Sequence, residues 1–371
     1  MSATTLEGAS HQELDLLRDS VQRLLERAGG LKRARSDRGR PDGWDGAVMR
    51  DLADAGVLGV AASEEVGGLG MGLSAAGVIA EEIGRVLAPE PVTATIGLGV
   101  GLLQRLCPDS EMLGMVMAGE IAVAVAWQER GPHGASEIEC HHADGKLTGA
   151  KAWIVGASKA DILLVVATGA KGAVLAAVAP GSDAVALQAR RQCDGSSLHD
   201  ATFAAAPADI LAEGDAVARA VAEAVAETTA LAAAELVGVS SAALELTLEF
   251  LRVREQFGQP IGRFQVLQHR AVDMHIDTQV ARAAVRQALE RMEETDDAGV
   301  RAREASRAKA RACVAARKVT REAIQMHGAV GYTDEFDIGL FLNRAIVLSA
   351  WLGDAPEHRR RWLAATEEHN R

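Results

Sequence analysis

Between residues 13 and 25, apolar side chains recur every three or four positions, at Leu14, Leu17, Val21, Leu24 and Leu25. That spacing is the stripe of an amphipathic helix. The same reading predicts helices over 46–55, 73–87 and 92–106. Between them lies SEEVGGLGMG (63–72), whose glycines permit tight turns that a helix does not hold. Residues 1–120 therefore read as an N-terminal helical domain. At Ile121 the pattern changes to short β-prone runs over 121–127, 152–155, 162–166 and 173–178, punctuated by HADGK and APGSD. Strands without intervening helices predict an antiparallel barrel or sandwich over 121–212, and argue against a βαβ nucleotide-binding unit. From 213 to 371 the chain is alanine-rich, and helices over 215–256, 263–294, 300–327 and 338–369 predict a four-helix bundle. FGQPIG, DDAG and HGAVGYTDE place Gly or Pro where those helices stop. The fold class is α+β, mostly α.

Composition narrows the function. A chain of 371 residues can bury sizeable cores without covalent staples. Cys107, Cys140, Cys193 and Cys313 lack the spacing of a zinc or redox motif, so they read as reduced thiols and no metal site is expected. The net charge is -12, with 19 basic against 34 acidic residues over 1–249 and 20 against 17 over 250–371. That balance argues against nucleic acid, while the C-terminal third keeps enough arginine to hold a phosphorylated cofactor. An acidic N-terminus without an apolar core, and no uninterrupted apolar run of about 20 residues, predict a cytoplasmic protein without membrane partners.

Two stretches carry a resemblance. REQFGQPIGRFQVLQHRAVDM (254–274) and QMHGAVGYTDE (325–335) together are similar to the two C-terminal motifs of acyl-CoA dehydrogenases, a family of flavoproteins. SEEVGGLGMG with VIAEEIGRVLAP resembles the family's N-terminal domain, and GAKAWIVGASKADILLVVA (149–167) resembles its central β-domain. The likeness runs from about residue 40 to 365 in the family's own order. It implies FAD as cofactor, an acyl-CoA thioester as substrate, oxidation at a CH–CH bond in lipid metabolism, and electron-transfer flavoprotein as redox partner. Arg254 and Phe257, three apart and so expected on one helix face, match the pair that reaches the FAD of a neighbouring subunit. An arginine fork suits a diphosphate, and a ring packs on a planar group. Gln265, Gln325, Gly328 and Ala329 match further residues around that cofactor; at Ala329 the family often has glycine. Trp153 and Val155 match residues beside the flavin ring, but Val155 stands where a threonine usually donates a hydrogen bond.

The catalytic pattern fails. The family removes an α-proton with a glutamate, and the two positions that usually carry it match Leu352 and Thr228, neither of which accepts a proton at neutral pH. Glu227, Glu235 and Asp354 are weak substitutes, each read more readily as an ordinary carboxylate. AWQERGPHGAS (126–136) keeps Glu129 and Gly131 of a family loop, while Arg130, Pro132 and His133 depart from it; His133 reads as a solvent-exposed loop residue. What survives serves a neighbour's FAD, and what is missing serves the chain's own ring and substrate. The resemblance is closest in character to the small, degenerate subunit of mixed α2β2 acyl-CoA dehydrogenases, which share the ending around Leu352, Gly353, Asp354, His358 and Arg359. Two alternatives stand beside it: a self-sufficient homo-oligomeric enzyme with a displaced base, and a flavin-free scaffold. By analogy with such mixed assemblies, the substrate would be a bulky steroid side chain or a dicarboxylic acyl-CoA.

Overall fold

The computed structural model describes residues 9–38, 40, 43–131 and 138–369. Helix α1 (His11–Arg27) opens on a capping box in which Ser10 and Glu13 satisfy each other's backbone N–H groups. After α1 come α2 (Gly30–Asp37), α3 (Gly46–Asp54) and α4 (Gly72–Val86), then α5 (Val92–Ala94), a π-helical turn (Thr95–Val100), α6 (Gly101–Leu106) and α7 (Glu111–Met117). The pattern reading had no counterpart for α2, whose sequence GLKRARSD is too polar to show a stripe. Gly67 and Gly70, at φ +83° and +63°, form the turns foreseen in the glycine-rich segment.

The strands are β1 (Val123–Ala126), β2 (His141–Ala143), β3 (Lys146–Val155), β4 (Ile162–Gly169), β5 (Gly172–Val178), β6 (Val185–Arg191), β7 (Ser197–Pro207) and β8 (Asp209–Glu213). They form one sheet of order β6-β7-β3-β2-β4-β5-β8, with β1 added beside β4. Of the expected antiparallel barrel or sandwich, the antiparallel pairing and the closed barrel need correcting. Both β1 and β2 pair with β4 in parallel, and the end strands β6 and β8 do not pair, so the sheet stays open. Side chains from both halves of the sheet still share one core around Leu147, Leu163, Val165 and Phe203. Its other face packs on α6, α7 and the start of the following helix through Leu102, Leu113, Leu164 and Val217.

The long helices are α8 (Asp215–Val253), α9 (Gln265–Glu293), α10 (Ala298–His327), α11 (Ile338–Ala350) and α12 (Ala355–His369), with a hairpin of β9 (Glu255–Gln256) and β10 (Gln259–Pro260) after α8. The single helix expected over 338–369 is two: α11 ends at a turn in which Leu352 and Gly353 take φ +65° and +117°. Helix α8 is long and apolar enough to cross a membrane, but 83% of that window is buried in protein, so it is a core helix. A second such window, Ile338–Thr366, is broken by the turn. Helix α4 crosses α8 with Gly84 and Gly238 at the contact, where an added Cβ would meet the opposing backbone. That crossing fuses the N- and C-terminal helices into one core.

Candidate functional site

A cavity of about 330 Å³ lies where the N-terminal helices, the sheet and the C-terminal bundle meet. Trp44, Glu90 and Pro91 come from the first, Trp153, Val155 and Leu198 from the second, and Glu235, Arg344, Trp351 and Leu352 from the third. Trp153 reaches the wall because β3 slips register against β7 between Lys151 and Ile154, and Trp153 itself takes φ +56°. A bulge of this kind re-aims one side chain out of the pleat. Val155 stands close by with no donor to offer.

Leu352 is 2% exposed and forms part of the cavity wall with its hydrocarbon side chain. Thr228 does not line the cavity. It is fully buried, donates to the Ala224 carbonyl at 2.6 Å, and packs against Gly97 of the π-helical turn, where an added methyl would collide with its hydroxyl. Glu227 also lies away from the wall, clamped between Arg105 and Arg301. Asp354 is exposed and accepts from the Glu357 N–H at 2.9 Å, capping α12.

Of the carboxylates weighed from sequence, Glu235 is the one on the cavity. It is 1% exposed, accepting from Arg344 Nε at 3.0 Å on one oxygen and from Thr93 Oγ1 at 2.9 Å on the other. Arg344 also reaches Asp194 at 3.0 Å. Burial works against the Arg344 charge, but Glu235 and Asp194 outweigh it and hold the guanidinium above its ordinary value. Both oxygens of Glu235 are therefore engaged, which suits a tie between elements better than a base. Glu90, buried, accepts both ends of the Arg33 fork at 2.6 and 2.7 Å. Sequence pattern gave no sign of Trp44, Glu90, Asp194, Arg344 or Trp351, which converge only through tertiary contacts.

Glu129 anchors its loop, accepting from Lys151 Nζ at 2.5 Å and from the Glu139 and Cys140 N–H groups. Burial pushes its pKa up, but these donors prevail and hold the carboxylate below its ordinary value. Gly131 ends the described part of that loop, and Pro132 and His133 lie outside the described residues.

The second group lies on the surface. Arg254 and Phe257 do not share a helix face as expected: α8 stops at Val253, and both residues belong to the β9–β10 hairpin. Gly258 at φ +76° and Pro260, which lacks an N–H, favour that turn over a further helical one. Phe257 is 91% exposed at φ +55°, its ring edge-on to Phe264 at 5.9 Å between centroids. The exposed Arg254 guanidinium has no hydrogen-bond or ion-pair partner among the described residues, and Gln265 is the exposed first residue of α9. Gln325, Gly328 and Ala329 are exposed where α10 ends, with Gly328 at φ +65°. Phe250 stacks on His327 at 4.3 Å, which brings the ends of α8 and α10, and hence both turns, to one end of the bundle. Along α9, Val272, Ile276 and Val280 are exposed at four-residue spacing, an apolar stripe that the described residues leave uncovered.

These residues suit FAD unequally. The hairpin offers an uncommitted arginine fork and an uncovered ring, the donor set that a diphosphate and a planar system require. The cavity offers Trp153 as a flat wall but no donor at Val155.

A helical segment, a sheet and a helical bundle closing on one cavity define the architecture of a three-part acyl-CoA dehydrogenase. Residues 11–109 match the acyl-CoA dehydrogenase N-terminal domain family and residues 212–365 the acyl-CoA dehydrogenase C-terminal domain family. Acyl-CoA dehydrogenase IpdE2 of Mycobacterium tuberculosis is 27% identical over 90% of this chain and 91% of its own length. Among solved structures, a variant of the Tcur3481-Tcur3483 steroid ACAD superposes with a TM-score of 0.86 at 28% identity, covering 97% of this chain and 99% of that one. The ChsE4-ChsE5 complex from Mycobacterium tuberculosis gives 0.86 at 25% identity, covering 97% and 98%. The chain belongs to the acyl-CoA dehydrogenase family.

Proposed function

We propose that this chain is the catalytically silent subunit of a heteromeric acyl-CoA dehydrogenase, completing the FAD site of a partner subunit that carries the base. The observation that carries this reading is a contrast within one molecule. The hairpin holding Arg254 and Phe257 is uncovered and uncommitted, whereas the chain's own cavity has Leu352 where a proton acceptor is required. A guanidinium and a ring both left to solvent on one hairpin are free to engage a diphosphate and a planar group from outside the chain. Two of the similar solved structures are named as pairs of chains, which adds weight to a two-chain assembly.

In such an assembly Arg254 would hold the cofactor diphosphate, Phe257 would pack on a planar part of it, and the turn with Gln325, Gly328 and Ala329 would offer backbone and amide contacts. Bound FAD supplies the acceptor for the hydride leaving the substrate's β-carbon. The α-proton goes to the partner's carboxylate, since neither Leu352 nor Thr228 can take it. The α9 stripe supplies apolar area for a subunit interface. A bulky steroid-type acyl-CoA is the favoured substrate class, electron-transfer flavoprotein the electron acceptor, and the cytoplasm the location.

The self-sufficient reading keeps one observation in its favour, the buried Glu235 on a cavity of about 330 Å³. Co-expression with candidate dehydrogenase chains separates the two. The heteromeric reading predicts co-purification with a flavin-bearing partner whose turnover survives Glu235→Gln in this chain. Loss of all turnover on that substitution, with the assembly intact, would transfer the chemistry to this chain.

A further inference from the structure

Lys309 of α10 has no exposed surface, and no ion pair joins it to a carboxylate among the described residues. Its ammonium donates to the carbonyls of Trp351 at 2.7 Å and Gly353 at 3.1 Å, with Cys313 as a further partner. Arg361 Nη1 takes the carbonyl between them, that of Leu352, at 3.3 Å. Three successive carbonyls of the α11–α12 turn thus face two cations from behind. The front of the turn, Trp351 and Leu352, faces the cavity. Residue 352 sits at φ +65°, where L side chains seldom rest without external support. Burying an ammonium without a carboxylate is expensive, and burial pulls the Lys309 pKa below its ordinary value. An apolar side chain would fill the same space at lower cost, so the retained charge points to a task at the turn.

We propose that Lys309 is a positioning residue for the cavity: its buried ammonium fixes the 351–353 turn so that position 352 faces the cavity, and leaves there a field that holds an acidic side chain as its anion. The inference goes beyond the heteromeric reading and stands whether or not a partner exists. It makes the chain's lack of a base one side chain deep, because the support behind the turn remains.

The groups around position 352 bear this out. On α12, burial, with Lys309 and Arg361 alongside, pushes the His358 imidazole down to about 3, so it is neutral at pH 7. On α10, Cys313 lies against Ser349. Across the cavity, Arg344 stands between two carboxylates, Glu235 and Asp194. Asp354 is exposed and spent on capping α12. Arg361 is itself paired with Glu357 at 3.0 Å, which leaves Lys309 as the charge behind the turn without an ion-pair partner among the described residues.

The test places a titrating reporter at the position. In the full chain, Leu352→Cys is alkylated with iodoacetamide across pH, and peptide mass mapping separates that thiol from Cys107, Cys140, Cys193 and Cys313. The midpoint is expected below the ordinary thiol value of about 8.5. Adding Lys309→Met is expected to raise it and slow alkylation at pH 7 about tenfold, with the alkaline plateau unchanged. A packing role alone would change the melting temperature or the plateau and leave the midpoint in place. Should the double variant not fold, the single variant decides: a midpoint at or above 8.5 with Lys309 present overturns the proposal.

Discussion

At the scale of single residues, the account divides the chain's arginines by what already holds them. Arg254 is exposed and has no partner among the described residues, so Arg254→Ala has nothing in this chain to break. We expect its melting temperature to stay within about 1 °C of the parent, as for surface changes generally. In the assembled complex, the same substitution is expected to weaken flavin retention by about ten- to a hundredfold, the scale of a charge-assisted phosphate contact. Dialysis followed by the flavin absorbance measures it, and Phe257→Ala should behave alike. Arg344 is the opposite case. Arg344→Met strands Glu235 and Asp194 without their cation, which should cost about 3–5 kcal/mol in urea unfolding. A loss below about 1 kcal/mol would mean that the network is not what ties α8, α11 and the sheet together. Leu352 and Thr228 read as departures in the sequence on side-chain type alone, and the structure puts the first on the cavity wall and the second off it. Glu235 and Glu227 were not separable from sequence: both lie on α8, and only the packing of Arg344 and Thr93 on one side and of Arg105 and Arg301 on the other tells them apart.

Among the elements, the α4–α8 crossing is the tightest constraint. Gly238→Ala puts a methyl into the Glu81 carbonyl, and we expect a loss of about 1–3 kcal/mol from forcing the helices apart, read as a shifted urea midpoint with an unchanged slope. The α9–α10 contact adds a pH dependence. Burial pushes the Asp277 pKa up, but Lys318 and Arg311 prevail and hold it below the ordinary carboxylate value. With the folded pKa depressed, the contribution is complete above the unfolded value of about 4 and is lost as pH falls through the lower folded value. Because the group is partly solvated, its size should stay below about 1 kcal/mol. Urea midpoints from pH 6 to 3 should fall less steeply in Asp277→Asn than in the parent. The long helices could be placed from sequence because periodicity over many residues averages out local noise. The hairpin after α8 and the turn between α11 and α12 could not. Each is set by a few residues at positive φ, Phe257 with Gly258 and Leu352 with Gly353, and two of those four carry side chains that ordinarily avoid that region. The sheet's parallel pairings escaped for a related reason: strand propensity gives existence, whereas β1 and β2 join β4 through long-range contacts.

The Val272–Ile276–Val280 stripe and the ring of Phe257 together leave apolar area that a solitary chain must hide. Expressed alone, the chain is expected to self-associate, and Ile276→Glu should reduce that association in sedimentation velocity while also blocking capture of the partner. The cavity is large enough for a ligand, yet Leu352 cannot take a proton and the Glu235 carboxylate on the same wall is committed to Arg344 and Thr93, so flavin at the hairpin and chemistry at the cavity need not belong to the same chain. The most direct measurement is the flavin-to-protein ratio of this chain purified alone and with its partner, followed through addition of an acyl-CoA thioester. The account predicts little or no flavin on the solitary chain, and flavin that bleaches with substrate in the complex. One flavin per chain in the solitary protein, bleached by acyl-CoA, would contradict it.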